Sequence, residues 1–119
     1  MAARFLEINV MCRVYINADP ILYESRTRSL RIHGVITTVR LENLFWDVLH
    51  EIAGRENLTT SQFAVKLYDE LMALRGEAPT NFASFLRVCC LRYLSMREAK
   101  QAAEGEAAGA VALRVLKAG

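Results

Sequence analysis

Between Val35 and Leu41 the chain reads VITTVRL, a β-type run. It passes straight into ENLFWDVLHEIAGR, which has the spacing of a helix. Neither glycine nor proline separates the two, and no second strand with a hairpin turn is evident beside them. A lone strand leaves a full row of backbone donors and acceptors unpaired, and even an isolated two-stranded hairpin is marginal in water. The strand must therefore find a partner, and the sequence nearby does not name one.

The rest of the chain limits where that partner can come from. At 119 residues it is one small domain with room for arms or tails, and an apolar fraction of 53% is enough for a core. No apolar run approaches the ~20 residues of a membrane span. Arg4, Glu7 and Arg13 interrupt the opening segment where a signal peptide would need an apolar stretch, so a cytoplasmic protein is expected. Cys12, Cys89 and Cys90 do not form a disulfide framework, and Cys89 and Cys90 are adjacent within a helical pattern. Buried free thiols are the expectation. His33 and His50 share no HxxxH or CxxC spacing, so neither a metal site nor a cofactor is expected.

Apolar periodicity predicts three helices. In the first, Leu44, Phe45, Val48, Leu49, Ile52 and Ala53 paint one stripe, with Trp46 at its border, placed to cover a flanking segment. Gly54 reads as the glycine that ends it. The second start is well signposted: Thr59 can cap, Gln62 stands three residues later as a capping box requires, and Leu58 and Phe63 have the spacing of a hydrophobic staple. That helix runs to about Arg75, and Gly76 closes it. A third begins after Pro79, capped by Thr80 or Asn81, with Phe82, Phe85, Leu86, Cys89, Cys90, Tyr93 and Met96 on one side. Val88 and Leu91 fall on the other side, so burial on more than one face is expected. Before the strand, residues 8–16 read as a further strand, residues 17–20 as a turn, and SRTRSLRIHG as a basic segment bending at Gly34. The expected division is a basic N-terminal arm over 1–34, a core over 35–76, an additional C-terminal helix over 77–97 and a flexible alanine-rich tail over 98–119, a frayed helix or a loose segment.

Charge is polarised along the chain. Residues 25–41 hold Arg26, Arg28, Arg31 and Arg40 and no acid, a local sum of +4. Residues 42–77 hold seven acids against three bases, a sum of −4. A basic strand end on an acidic helical body points to an anionic partner at the strand.

The order of strand, helix, short connector and capped second helix, carried by TTVRLENLFWDVLHEIAGRENLTTSQFAVKLYDEL, resembles the ribbon-helix-helix family of small bacterial DNA-binding proteins (the Arc, MetJ and CopG type). The segments MCRVYINADPILYESRTRSLRIHG and NFASFLRVCCLRYL flank this core much as in longer members, so the resemblance spans roughly 11–94. It implies a mainly α fold with one short strand per chain, in an intertwined homodimer whose two strands form an antiparallel ribbon. The missing partner strand would then belong to a second copy.

The resemblance also implies a role in reading double-stranded DNA as a transcriptional regulator. If Val39 and Leu41 face the core, alternation turns Ile36, Thr38 and Arg40 outward, where they would meet base edges in the major groove. Arginine can donate two hydrogen bonds to guanine, and threonine offers a hydroxyl and a methyl. Ile36 departs from the polar residue usual at its place. Thr60 and Ser61 at the second helix N-terminus, with Arg26, Arg28 and Arg31, would hold phosphates. The alternative is a dimeric protein-interaction module, antitoxin-like or a scaffold, without DNA binding, in which the C-terminal helix docks a protein partner. No Ser-His-Asp or Cys-His arrangement, paired acid motif or phosphate-cradling glycine loop is visible, so an enzyme is not expected.

Overall fold

The strand finds its partner in its own chain. In the computed structural model, which describes residues 16–118 (side chains through residue 107), the order is α1 (Pro20–Tyr23), β1 (Ser25–Ile32), β2 (Val35–Glu42), α2 (Asn43–Arg55), α3 (Thr60–Arg75) and α4 (Phe82–Ala118). The fold is mainly α with a two-stranded antiparallel sheet. Residues 25–32 of the expected basic arm thus form the strand β1, and the single strand per chain becomes a hairpin. The pairing runs from Ser25 opposite Glu42 to Ile32 opposite Val35.

The physical reason lies in two residues. His33 and Gly34 both have positive φ, 51° and 82°, as a type I′ hairpin turn requires at both central positions. Such a turn matches the right-handed twist of the flanking strands, so the hairpin closes locally. Of the strand expected over residues 8–16, all but Ile16 lies outside the described residues. The turn before Pro20 is present, with Asp19 accepting from the Ile21 N–H at 3.1 Å to cap α1.

The inner face of the hairpin holds Leu30 and Ile32 of β1 and Val39 and Leu41 of β2, all buried. They rest on α2, whose Trp46, Val48, Leu49 and Ala53 are buried, and the core continues into Phe63 and Ala64 of α3 and Phe82, Leu86 and Cys90 of α4. Trp46 does more than border the stripe: it is 1% exposed, and its indole N–H donates to the Arg26 carbonyl of β1 at 2.8 Å. Just before the same end of β1, Asn43 ties α2 to the preceding segment, its backbone N–H donating to the Glu24 carbonyl and its side-chain amide to that of Ile21.

The helix ends follow from their local chemistry, with one change of residue. Helix α2 does not stop at Gly54. Its left-handed residue is Asn57, φ 58°, with the Asn57 N–H on the Gly54 carbonyl and the Leu58 N–H on the Ala53 carbonyl, which is a Schellman arrangement. Asparagine tolerates that conformation better than other residues bearing a Cβ, which is why no glycine is needed. The capping box of α3 forms as expected: Gln62 N–H donates to Thr59 Oγ1 at 3.1 Å, and Thr59 N–H to Gln62 Oε1 at 2.9 Å. Gly76, φ 78°, closes α3, and Asn81 caps α4 by accepting from the Ser84 N–H.

Helix α4 differs most from expectation. It continues through the alanine-rich segment to Ala118, so Glu98 is not an element boundary. Alanine, glutamate, lysine and glutamine are strong helix formers, and their sum outweighs the roughly 1 kcal/mol that each of Gly105 and Gly109 costs. Val88 and Leu91 are exposed, so among the described side chains α4 buries one face in the single chain, that carrying Phe82, Leu86 and Cys90. The Cys90 thiol, with Sγ 3.6 Å from the Phe45 carbonyl, has its pKa pushed up to about 12 by burial and is inert packing material.

Arg87 ties α4 to the sheet. Its Nε and Nη2 donate to the Glu42 carboxylate at 2.9 and 3.1 Å. Glu42 occupies the N-cap position of α2 but makes no side-chain cap, because its oxygens serve Arg87 instead. The hydrogen bond from Arg87, more than its charge, holds the Glu42 carboxyl below the usual carboxylate range. A depressed folded value means the link stabilises above the unfolded value, at about pH 4, and is lost as pH falls through the lower folded value. Glu42→Gln is therefore expected to lower stability at neutral pH and to flatten the acid limb of the stability curve. Urea unfolding at pH 7 and pH 3 checks this; equal losses at both would contradict it.

Candidate nucleic-acid interface

The period of two in the hairpin sorts its side chains into two faces. Leu30, Ile32, Val39 and Leu41 mark the inner one. The outer one consists of Ser25, Thr27, Ser29 and Arg31 from β1, paired across the sheet with Glu42, Arg40, Thr38 and Ile36 from β2. All of these except Glu42 are exposed. Val39 and Leu41 are inward and Ile36, Thr38 and Arg40 outward, as the alternation predicted. Thr27, Ser29 and Arg31 join them from β1. Sequence reasoning missed Thr27 and Ser29 because β1 was read as an arm; the signal was the two-residue His33–Gly34 spacing between two runs of alternating residues.

The face is built for hydrogen bonding. Arg31 and Arg40 supply two positive charges, and four hydroxyls lie along it. The carboxylate at its end, Glu42, is held by Arg87. At the hairpin turn His33 Nε2 contacts the Asp69 carboxylate of α3, which ties the tip to the helical body.

The remaining expected phosphate contacts divide. Arg31 lies beside the start of α3, where it lines a shallow cleft of about 330 Å³ with Ser61, Gln62 and Val65. Ser61 is exposed there. Thr60 is not: it is 6% exposed, and its hydroxyl lies 3.4 Å from His50 Nδ1, so only its backbone N–H remains for an outside ligand. Arg26 and Arg28 belong to the inner side of β1 by alternation, and the Arg28 guanidinium lies 5.3 Å from the centre of the Trp46 ring. They are therefore not brought together with Arg31, Thr38 and Arg40. Both Arg26 and Arg28 are exposed, and Arg28, resting on Trp46, links the hairpin to α2.

Along the opposite edge, β2 faces a cleft of about 380 Å³ bordered by Thr37–Arg40 and by residues 79–83 leading into α4. Among the described residues no group of three metal-ligating side chains comes together, and no helix is long and apolar enough to cross a membrane.

Comparison with known proteins decides the family. The family described as "Ribbon-helix-helix domain" matches residues 25–94, which includes β1 and extends into α4. The chain belongs to the ribbon-helix-helix family. Members of this family are typically DNA-binding transcription regulators. The solved structure of an uncharacterized protein from Bordetella pertussis Tohama I is similar at 54% identity and a TM-score of 0.73, covering 77% of this chain and 73% of that one. Among curated proteins none matches. The family match begins at Ser25, the first residue of β1, so the hairpin lies wholly within the ribbon-helix-helix domain.

Proposed function

We propose that this protein is a sequence-specific DNA-binding transcriptional regulator, acting as a homodimer in the cytoplasm and reading the major groove with its β-ribbon. The observation that carries the reading is the outer face of the hairpin. Thr27, Ser29, Arg31, Ile36, Thr38 and Arg40 are all exposed, and all but Ile36 can hydrogen-bond. The major groove, about 12 Å wide, admits a two-stranded ribbon whose strands lie ~4.8 Å apart. In this reading Arg40 and Thr38 touch base edges and Ile36 packs on a thymine methyl. Arg31, Ser61 and the backbone N–H of Thr60 hold a phosphate beside the α3 N-terminus, whose dipole favours an anion. Arg28 braces the hairpin through Trp46 instead of contacting phosphate.

The test is selection from a random duplex library with purified protein at stated salt, because affinity quoted without salt is uninterpretable. Recovery of a sequence motif, followed by its loss on altering the outer face, is the expected result.

Dimerisation rests on the helices in this reading, since the hairpin satisfies its strands within one chain. Met72 and Leu74 of α3 and Val88, Leu91 and Met96 of α4 are large apolar side chains exposed in the single chain. Sedimentation equilibrium at micromolar concentration is expected to show a dimer. A monomer whose unfolding is cooperative and independent of concentration would sink the proposal.

A second reading, a dimeric protein-interaction module without DNA binding, has one observation in its favour. Ile52, Phe63, Phe85, Val88, Cys89 and Met96 line an apolar cleft of about 390 Å³ between α2, α3 and α4, which suits a protein partner on the C-terminal helix. Failure of the DNA selection with an intact dimer would bring this reading forward.

A further inference from the structure

Where α4 passes the C-terminal end of α2, two guanidinium groups flank one aromatic ring and a lysine lines the same cleft. The Arg55 guanidinium lies 5.5 Å and the Arg97 guanidinium 5.9 Å from the centre of the Tyr93 ring. With Met96 and Lys100 these residues line a cleft of about 270 Å³. That is several times the roughly 30 Å³ share of one water molecule in the liquid. None of these residues belongs to the ribbon face.

The charges here do not balance. Among the described residues Glu51 is the one carboxylate bonded to the group, accepting from Arg97 Nη1 at 2.8 and 3.0 Å. Lys100 has only an exposed partner, Glu104, at 4.0 Å, a pair worth little. Arg55 makes no ion pair among the described residues. Three cations against Glu51 and Glu104 leave a surplus of one positive charge.

Hydrogen bonding is also incomplete. The Nε of Arg97 and the hydroxyl of Tyr93 are buried without a hydrogen-bond partner, an arrangement that folded proteins rarely leave unfilled. Tyr93 lies near the Glu51 carboxylate but makes no hydrogen bond of regular geometry to it. The carbonyls at the end of α2 would repel an anion if they were free. Those of Ile52, Ala53 and Gly54 are already occupied by the N–H groups of Glu56, Asn57 and Leu58.

We propose that Arg55, Tyr93, Arg97 and Lys100 form a phosphoryl-anion site, separate from the ribbon. Stacking on Tyr93 holds the two guanidinium groups in place before a ligand arrives, which lowers the ordering cost of binding. A guanidinium offers planar paired donors to phosphate oxygens, and Lys100 adds a mobile point charge. The phosphoryl group could belong to a free phosphorylated small molecule or to a nucleic-acid backbone; the chemistry of recognition is the same.

The test is a pyrophosphate titration of the full chain at low ionic strength, followed by NMR at the Arg97 Nε–H. A saturable shift is expected, with a dissociation constant on the order of millimolar. The double variant Arg55→Gln with Lys100→Gln should weaken it by about tenfold or more, since two of three cations are lost. Arg75→Gln, outside the cleft, should leave it unchanged, and melting temperatures check that each variant is folded. Absence of a saturable shift, or equal binding by the folded double variant, overturns the proposal.

A second arm identifies the source. If the double variant shallows the salt dependence of binding to a short duplex by up to about 0.9 per lost contact, the ligand is a nucleic-acid phosphate. If duplex binding is unchanged while pyrophosphate binding falls, it is a free phosphorylated molecule. Should the protein bind no DNA at all, the pyrophosphate arm still decides the site, and the loss falls on the ribbon reading alone.

Discussion

Replacing Trp46 by alanine is expected to destabilise the fold by about 3–5 kcal/mol, the range for removing a fully buried tryptophan. Trp46 is the side chain through which α2 holds the hairpin. Its ring is buried beneath the sheet, its indole N–H donates to the Arg26 carbonyl at 2.8 Å, and the Arg28 guanidinium covers the ring. Small domains are stable by about 5–15 kcal/mol in total, so this single change consumes a large share of that margin. The intermediate substitution separates the two contributions. Trp46→Phe keeps much of the apolar area but removes the donor to Arg26, and should cost about 1 kcal/mol from the hydrogen bond plus a smaller packing loss. Urea unfolding of the three proteins measures both steps. A Trp46→Ala loss below about 1 kcal/mol, far under the cavity range, would mean that the hairpin is held by something other than α2.

How far the sequence disclosed this arrangement depends on the residue. Local chemistry was legible. Thr59 and Gln62 form the box their spacing predicts, Gly76 takes the left-handed conformation at the end of α3, and Val39 and Leu41 face inward. Each of those signals involves residues within a few positions of one another. The hairpin was hidden because the inner positions of β1 are Arg26, Arg28, Leu30 and Ile32, so only half of them look apolar. An arginine can occupy an inward position when its guanidinium lies on an aromatic ring supplied from elsewhere, here Trp46 of the following helix. No local pattern announces that. The His33–Gly34 turn is also weaker in sequence than an Asn-Gly pair, although both residues adopt the required positive φ.

The same misreading shaped the expected site. With β1 taken as part of a basic arm, Arg26, Arg28 and Arg31 looked equivalent. The register separates them: Arg31 shares the outer face with Ile36, Thr38 and Arg40, whereas Arg28 turns to Trp46. Thr60 was indistinguishable from Ser61 by type and position, yet helix rotation buries its hydroxyl against His50 and leaves Ser61 exposed. The C-terminal segment left a frayed helix and a loose tail open for a different reason. Gly105 and Gly109 weaken a helix locally, but the strong helix formers around them carry α4 through both.

The outer face leads to the most consequential functional expectation. Arg40→Ala should leave folding intact, because Arg40 projects from the exposed side of β2 while Val39 and Leu41 keep the core side. Specific DNA binding should weaken by about 1–3 kcal/mol for each lost bidentate base contact, and two symmetric copies would roughly double that. The proper comparator is Arg31→Ala rather than a change at Arg28, which would unstack Trp46 and confound folding with binding. As a phosphate contact beside Ser61, Arg31 should weaken all sequences alike and shallow the salt dependence by about 0.9 per chain. Both variants are titrated against one selected duplex and one scrambled duplex over a range of salt. Loss of discrimination in Arg40→Ala with a uniform loss in Arg31→Ala is the signature of a ribbon that reads bases while its flank holds the backbone. If Arg40→Ala binds both duplexes as the parent does, the ribbon reads no bases, and the apolar cleft between α2, α3 and α4 becomes the surface to pursue.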